Sequence, residues 1–322
     1  ACIGMAGPAM IEGGGLGVFK PEEVGPVSVQ RANGVVDCVV KDEQEGAALA
    51  KKLMGYFQGT VTDWQCEDQR WLRRAVPENR LHAYDMRELI RLLVDTDSTV
   101  ELRRDFAPGM ITAFVRVEGR PLGLIANDPK VLGGAIDAAG ADKASRFMQL
   151  CDAFGIALVS LCDTPGFMVG PDEEKTAMVR RTCRMFVTAA SLTVPLLSLV
   201  TRKGYGLGAQ GMTGGSFHAP LFCASWPSGE FGGMGLEGAV NLAYKKELDA
   251  QETPEQREAL FKKLVDKLYE RGEALSMAAA LEIDAVIDPA DSRAWILRGL
   301  RATPPGGLEP IAGKRRPMID TW

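Results

Sequence analysis

Two stretches decide the fold of this protein: IALVSLCDTPGFMVG (residues 156–170) and VPLLSLVTRKGYGLGAQGM (residues 194–212). Each begins with a continuous apolar run, which indicates a strand buried on both faces of a parallel sheet. A glycine-containing turn follows each strand, and a helix follows each turn. Strands alternate with helices in this way from residue 84 onward, so the sequence predicts an α/β fold.

The remaining segments extend this pattern. Residues 111–128 read as two strands around a Glu118-Gly119 turn, and residues 142–155, 173–191 and 253–275 read as helices. Upstream, the sequence predicts strand and loop over 1–17, a short strand over 34–40, and a linker over 59–80. Between them lies a predicted helix over 43–57, whose inward face is formed by Ala47, Ala48, Leu53, Met54 and Phe57.

Composition narrows the class of protein. The 322 residues carry a net charge of -5, which argues against nucleic acid as a partner because phosphate binding needs surplus Lys and Arg. The locally basic end, residues 313–322, reads as a solvated tail. No apolar run is long enough to cross a membrane. The seven scattered cysteines form no CxxC pair and lie mostly in apolar stretches, which predicts reduced thiols packed in the core and neither a disulfide framework nor a zinc site. Reduced thiols are typical of a cytoplasmic protein, or of a mitochondrial one if eukaryotic.

The glycine-rich turns are the candidate site, because ligands of open α/β sheets bind at the carboxyl ends of the strands. TPGFMVG (residues 164–170) and KGYGLGAQGM (residues 203–212) both fall there, and neither offers a nucleophile. The free amides of a first helical turn form a site for an anion. Such a site favours stabilising an oxyanion, an effect worth roughly 3–4 kcal/mol per donor in other enzymes.

Other interpretations of these residues stay open. Gly206, Gly208 and Gly211 match a GxGxxG dinucleotide pattern with Glu230 at the expected distance, although no clear second strand precedes Glu230. The glycines could also serve close helix packing alone. A P-loop is excluded because no GK[ST] follows. His82 and His218 lie far apart with no nucleophile elbow, so we expect both in surface, loop or polar core positions.

Longer segments of the chain resemble a known family. Residues 127–170, 194–212 and 226–240 resemble the carboxyltransferase component of biotin-dependent acyl-CoA carboxylases, such as the propionyl-CoA and 3-methylcrotonyl-CoA enzymes. Residues 4–15 and 22–53 resemble the end of the amino-terminal half of that component. The likeness runs in order along nearly the whole chain.

The resemblance implies a crotonase-like ββα superhelix, with the end of one repeat and one nearly complete second repeat. Residues 1–75 would end the amino-terminal, acyl-CoA-binding subdomain, and residues 76–322 would form the carboxyl-terminal, biotin-side subdomain. In the family, carboxybiotin yields CO2 and a biotin enolate, the enolate removes the α-proton, and the acyl-CoA enolate captures CO2. Backbone oxyanion holes carry this chemistry, so no side-chain base and no metal are implied.

The resemblance also implies roles for particular residues. Leu207 and Gly208 hold the place of the pair whose amides donate to the biotin ureido oxygen, although Leu207 replaces a small residue. Gln210 stands where propionyl-type enzymes carry an acidic residue associated with the choice of acyl chain. The implied biotin-side residues are Gly133, Gly134, Gly166, Phe167, Gly204 and Gly206.

Partners follow from the same likeness. We expect biotin on a separate domain or chain, a biotin carboxylase, an acyl-CoA substrate, and a homo-oligomer whose active site lies at a dimer interface. The chain opens with Ala1 in what reads as mid-strand, so we expect family segments, including a first oxyanion hole, upstream of it. The alternatives are a biotin-dependent acyl-CoA decarboxylase subunit and a non-catalytic assembly subunit.

Overall fold

One mixed sheet of eight strands forms the centre of the computed structural model, which describes residues 1–303. The predicted tail, residues 313–322, lies outside the described residues. The spatial order is β1-β2-β3-β4-β5-β6-β8, and β7 pairs with the outer part of β5. The strands are β1 (Val100–Leu102), β2 (Met110–Val117), β3 (Arg120–Asn127), β4 (Leu158–Thr164), β5 (Leu196–Tyr205), β6 (Phe222–Ser225), β7 (Glu230–Gly232) and β8 (Ala285–Val286).

Helices cover both faces of the sheet, as expected for an α/β fold. The helices are α1 (Pro8–Gly13), α2 (Val27–Ala32), α3 (Glu43–Gly55), α4 (Met86–Leu93), α5 (Ala138–Ala153), α6 (Pro171–Glu174), α7 (Met178–Ala190), α8 (Gly206–Met212), α9 (Leu236–Ala243), α10 (Lys245–Asp249), α11 (Pro254–Gly272), α12 (Ala274–Ala279) and α13 (Ser292–Ala302). No helix among these described residues is long and apolar enough to cross a membrane.

The predicted buried strands are confirmed. β4 and β5 pair in parallel at the centre of the sheet, and nearly all of their residues are buried. Alternate residues of β4 enter different cores: Leu158 and Cys162 pack on the side of α5 and α7, whereas Val159 and Leu161 pack on the side of α4 and α13. Both faces are therefore apolar, which is why the run in the sequence is continuous.

The first 58 residues differ from the prediction. Residues 34–40 form no strand, and residues 1–17 contain the short helix α1 in place of a strand. α3 is present, but Ala47, Ala48 and Met54 are exposed. The helix packs on the α5 side through Leu53 and Phe57, as predicted, and through Leu49. None of the residues of α1, α2 and α3 is fully buried, so packing overrides the face that hydrophobic periodicity indicated.

Three further segments depart from the predicted elements. The predicted helix over 173–191 is interrupted: α6 ends at Glu174, Ala177 has a left-handed φ of 60°, and α7 starts at Met178. The predicted helix over 253–275 ends at Gly272, where the absence of a β-carbon lets the helix end pack against β7: a β-carbon there would lie 2.1 Å from the Phe231 carbonyl oxygen. Within the predicted linker, residues 59–80, Leu72 is buried in the core beside α4, and the other residues are exposed or half-buried.

The cysteine prediction holds in part. All seven cysteines are free. Only Cys151, Cys162 and Cys223 are buried, whereas Cys2, Cys66 and Cys183 are exposed and Cys38 is half-buried. Apolar neighbours in the sequence therefore identify core thiols only within the central sheet and its covering helix.

A buried ion pair ties α13 to the β2–β3 hairpin. Asp95 is 3% exposed and accepts hydrogen bonds from the Glu118 and Gly119 amides (3.0 and 2.7 Å), which fixes the turn predicted from sequence. The guanidinium of Arg293 donates to the same carboxylate over 2.6 Å. Residues 198 positions apart are thereby joined.

We predict that Asp95→Ala lowers the free energy of unfolding by about 3–5 kcal/mol, because it leaves the buried Arg293 without its counterion. Urea denaturation followed by circular dichroism measures the change. Lys175→Ala is the control: it removes an exposed ion pair with Asp172 and should leave the midpoint nearly unchanged. Equal losses in the two variants would contradict the prediction.

Candidate active site

The turn after β4 is held in shape by its own hydrogen bonds. The Gly166 amide donates to Thr164 Oγ1 over 3.1 Å, and Gly166 has φ 131°, a conformation that residues with side chains rarely adopt. The Ile136 amide donates to the Gly166 carbonyl (3.0 Å), and the Met168 amide donates to the Ile136 carbonyl (2.9 Å). Gly166 and Phe167 therefore lie against the segment that precedes α5.

Two of the predicted glycines belong to that segment. Gly133 and Gly134 both have positive φ, 63° and 90°. A β-carbon on Gly134 would lie 2.2 Å from the Asp163 carbonyl oxygen, so only glycine lets the segment rest on the end of β4. Gly133 faces open space. The two residues thus have different constraints, one of packing and one of backbone conformation.

The turn after β5 leads directly into α8. Tyr205 precedes the helix, and Gly206 has φ 56° with no room for a β-carbon, which would lie 2.7 Å from the Gly233 carbonyl oxygen. The amides of Gly206, Leu207 and Gly208 belong to the first turn, where the helix itself supplies no acceptor. The predicted strand, glycine turn and helix are confirmed here.

The two turns meet at Gly208. A β-carbon at this position would lie 2.6 Å from Gly166 Cα and 3.0 Å from the Phe167 amide nitrogen. At Gly211, one turn later in α8, a β-carbon would lie 3.1 Å from the Phe167 ring. The structure therefore brings the two glycine-rich turns into direct backbone contact at the carboxyl ends of β4 and β5, and we call the surface formed by residues 164–170 and 203–212 the crevice.

Other predicted residues take different positions around this crevice. Leu207 is 64% exposed, and Gln210 is half-buried one helical turn further on. Gly204 is buried within β5, where a β-carbon would lie 2.9 Å from the Phe231 ring. Gly204 thus allows strand and ring to pack, whereas Leu207 faces outward.

No activated nucleophile is found at the crevice in the described part of the chain. Cys162, in β4, is fully buried, and burial raises the pKa of its thiol, which keeps it neutral. His82 and His218 are both exposed in loops, as expected for residues outside a triad. Within residues 1–303, no three His, Cys, Asp or Glu side chains gather as a metal site.

A buried charged layer lies beneath the crevice. Asp163, at the end of β4, is fully buried and is 2.9 Å from Lys203 Nζ and 3.2 Å from the Arg202 guanidinium. The Asp163 amide donates to Asn127 Oδ1 over 3.2 Å, which ties the ends of β3 and β4 together. Burial first, and then the Asp163 charge, raises the pKa of the neighbouring Tyr84 well above its usual value. These groups pair with one another, so they support the turns rather than offer a free base.

Sequence reasoning missed the buried pair behind α8. Glu230 is 2% exposed and lies near the Tyr205 hydroxyl, and burial is the main cause that raises the pKa of both groups. Glu230 lies on β7, which pairs with β5. Because Glu230 is buried, its carboxylate cannot reach a ribose as the acidic residue of a dinucleotide site must, so the GxGxxG interpretation fails. In the sequence, Glu230 follows WPSG (residues 226–229), and this local pattern does not predict that its side chain is buried.

Known proteins of similar sequence and structure support the predicted family. The chain is 36% identical over 289 residues to the propionyl-CoA carboxylase beta chain of Saccharopolyspora erythraea, covering 84% of this chain and 53% of the relative. It is 33% identical over 292 residues to the methylmalonyl-CoA carboxyltransferase 12S subunit of Propionibacterium freudenreichii subsp. shermanii, covering 87% of this chain and 54% of that subunit.

A solved single-chain, multi-domain long-chain acyl-CoA carboxylase is also similar, with 57% identity and a TM-score of 0.87. The match covers 92% of this chain and 29% of that one. This chain thus spans about half the length of the curated relatives it matches. The mixed α/β architecture with a central sheet agrees with this solved structure.

The family model described as "Carboxyl transferase domain" matches residues 2–316. This match covers the glycine turns, the central strands and the first 58 residues, as the resemblance in the sequence predicted. The chain therefore belongs to the carboxyl transferase domain family.

Proposed function

We propose that this protein is the carboxyltransferase component of a biotin-dependent acyl-CoA carboxylase, which moves a carboxyl group from carboxybiotin to an acyl-CoA. The observation that carries the proposal is the contact of Gly208 with Gly166 and Phe167. It joins two strand-turn-helix units in a crevice that offers amide donors and no nucleophile. A reaction in which the cofactor supplies the base needs oriented amide donors and no nucleophilic side chain from the protein.

The donor set fits the biotin ureido group, whose oxygen is an acceptor of amide hydrogen bonds. When bound, carboxybiotin supplies both the carboxyl group and the base that takes the α-proton. The protein's part is to orient and stabilise: the amides of Leu207 and Gly208 hold the ureido oxygen as negative charge develops. The turn at Gly166 and Phe167 and the segment at Gly133 and Gly134 shape the wall on the biotin side.

The exposed face of the crevice fits the proposal of a homo-oligomer. Leu132, Val169, Leu207 and Met234 are large apolar side chains on or next to the turns, and each is more than 40% exposed. Exposed apolar groups gathered in one region mark interaction sites. We propose that a second copy covers this face and completes the active site, with Gln210 on its acyl side.

The family also supports the proposed organisation. Residues 1–75 would end the amino-terminal subdomain and residues 76–322 would form the biotin-side subdomain of a crotonase-like superhelix. The described helices α1 to α3 contribute no fully buried residue, which agrees with an incomplete repeat. Biotin carboxylase and a biotin carrier would be the partners, and the cytoplasm or the mitochondrial matrix the compartment.

The Leu207 amide can be tested without disturbing the crevice. Leu207 is the second residue of α8, so the helix does not use its amide as a donor, and its side chain is exposed; proline at this position removes the amide proton without removing a core side chain. We expect Leu207→Pro to lower the kcat of carboxyl transfer by about 10²–10³-fold. The rate is measured in the native complex with its biotin carrier and an acyl-CoA.

Leu207→Ala is the matched control, because it shortens the side chain and keeps the amide. It should retain a kcat close to that of the unmodified protein, and acyl-CoA binding should persist in both variants. If the proline variant turns over as fast as the alanine variant, the amide has no catalytic role. Gly208 is unsuited to this test, since any β-carbon there would displace Gly166.

The proposed interface predicts a change in oligomeric state. Val169 is 82% exposed beside the Gly166 turn, and Val169→Lys would place a charge in an apolar contact. We expect light scattering at micromolar concentration to show an oligomer for the unmodified protein and smaller species for Val169→Lys. Val187→Lys is the control, because Val187 is 67% exposed in the last turn of α7, toward the opposite end of the sheet. A monomer in the unmodified protein would contradict the interface.

A further inference from the structure

A second cavity lies away from the crevice, between α3 and α5 and above β2. Its volume is about 540 Å³, which is within the range of small-molecule sites. The walls are mainly apolar. Most of this apolar lining comes from Leu49, Leu53, Phe57, Phe114, Phe147 and Phe154. Phe154 is 57% exposed, so this wall reaches solvent. An aliphatic chain fits such a lining.

One end of the cavity is cationic. Lys143 lines it and is only 1% exposed, and its ammonium donates to the Phe106 and Ala107 carbonyls over 2.8 and 3.4 Å. No carboxylate within residues 1–303 lies within ion-pair distance of Lys143 Nζ. Because an ammonium has three protons, one donor remains for a further acceptor.

Other charged side chains line the same cavity. They are Arg103, Arg146 and Asp37, and Asp37 accepts a hydrogen bond from Arg103 over 2.9 Å. Burial lowers the pKa of Lys143 to about 7. The other charged groups that act on Lys143 are Glu101, Arg87, Arg103 and Asp137. A buried cation without a counterion is costly, so an anion bound here would be stabilised.

We propose that this cavity binds a free fatty carboxylate, with its chain along the phenylalanine and leucine side chains and its head group against Lys143. The charge of the head group determines whether the cavity favours a fatty carboxylate or an acyl-CoA thioester. A carboxylate supplies the missing counterion, whereas the thioester of an acyl-CoA is neutral and would leave Lys143 unpaired. The site is thus separate from the carboxyltransferase crevice and takes a different form of aliphatic acid.

Binding should be linked to proton uptake. Above about pH 8, Lys143 is mostly neutral in the free protein, and a bound carboxylate favours its charged form. The complex therefore takes up a proton, and affinity falls as the pH rises through 7 toward 9. Below about pH 7, Lys143 is already charged and the uptake disappears, while the fatty carboxylate stays ionised.

Isothermal titration calorimetry with dodecanoate, below its micelle concentration, tests the proposal on the 322-residue protein. Titrations at about pH 8 in buffers of different ionisation enthalpy should report uptake of nearly one proton per ligand. Dodecanol, which has the same chain and no charge, should bind at least about tenfold more weakly, since a charged hydrogen bond is lost. Lys143→Met should show the same loss and no proton uptake.

A pair of exposed alanines on α3 provides a test that does not depend on folding of a core variant. Ala50 lines the cavity and Ala48 does not, although both are exposed. Ala50→Trp should abolish dodecanoate binding, and Ala48→Trp should leave it unchanged. Equal binding by the two variants, equal affinity for dodecanol, or absence of proton uptake would overturn the proposal. So would binding of dodecanoyl-CoA in this cavity with none of dodecanoate.

Discussion

The contact between two backbone turns, Gly208 on one and Gly166 on the other, is the constraint on which the rest of the site depends. The 2.6 Å that would separate a β-carbon at position 208 from Gly166 Cα leaves no space for a side chain. The contact places the first turn of α8 beside the turn that follows β4. Donor amides can then act together only because two neighbouring parallel strands end at the same edge of the sheet.

Buried charges hold this edge in place. Asp163 lies under the β4 turn, pairs with Arg202 and Lys203 of β5, and binds Asn127 of β3 through its amide. Breaking one partner of such a network would leave uncompensated buried charge. The polar residues beneath the crevice are thus structural supports for the surface of backbone amides that we propose to be catalytic. This division explains why the site lacks the reactive side chains by which most active sites are recognised.

The crevice and the cavity that we propose as a second site present different chemical groups to a ligand. The crevice offers neutral amide donors at a helix start, which suit an oxyanion that develops during a reaction. The cavity between α3 and α5 offers a buried ammonium, Lys143, which suits an anion that is present before binding. The two sites differ because the cavity presents a full positive charge to a ligand, whereas the crevice presents only the dipoles of amide groups.

Prediction from the sequence was most accurate for strands that are buried on both faces of the sheet. The continuous apolar runs at 156–163 and 194–201 identified β4 and β5, because both faces of these strands are covered. It failed over residues 34–40 and at Ala177, where no local pattern reports that the chain leaves a strand or breaks a helix. It also misjudged the inward face of α3, since that helix packs through few residues and a cavity lies beneath it.

The sequence by itself determined the α/β class, the family and the position of the glycine turns, because these depend on local composition and on order along the chain. Only the tertiary structure decided which glycines are packing constraints, as at Gly204 and Gly134, and which residues face outward, as at Leu207. It alone placed Glu230 behind α8 and Lys143 at an apolar cavity. The physical reason is that close approach and burial depend on residues distant in sequence, which no local pattern encodes.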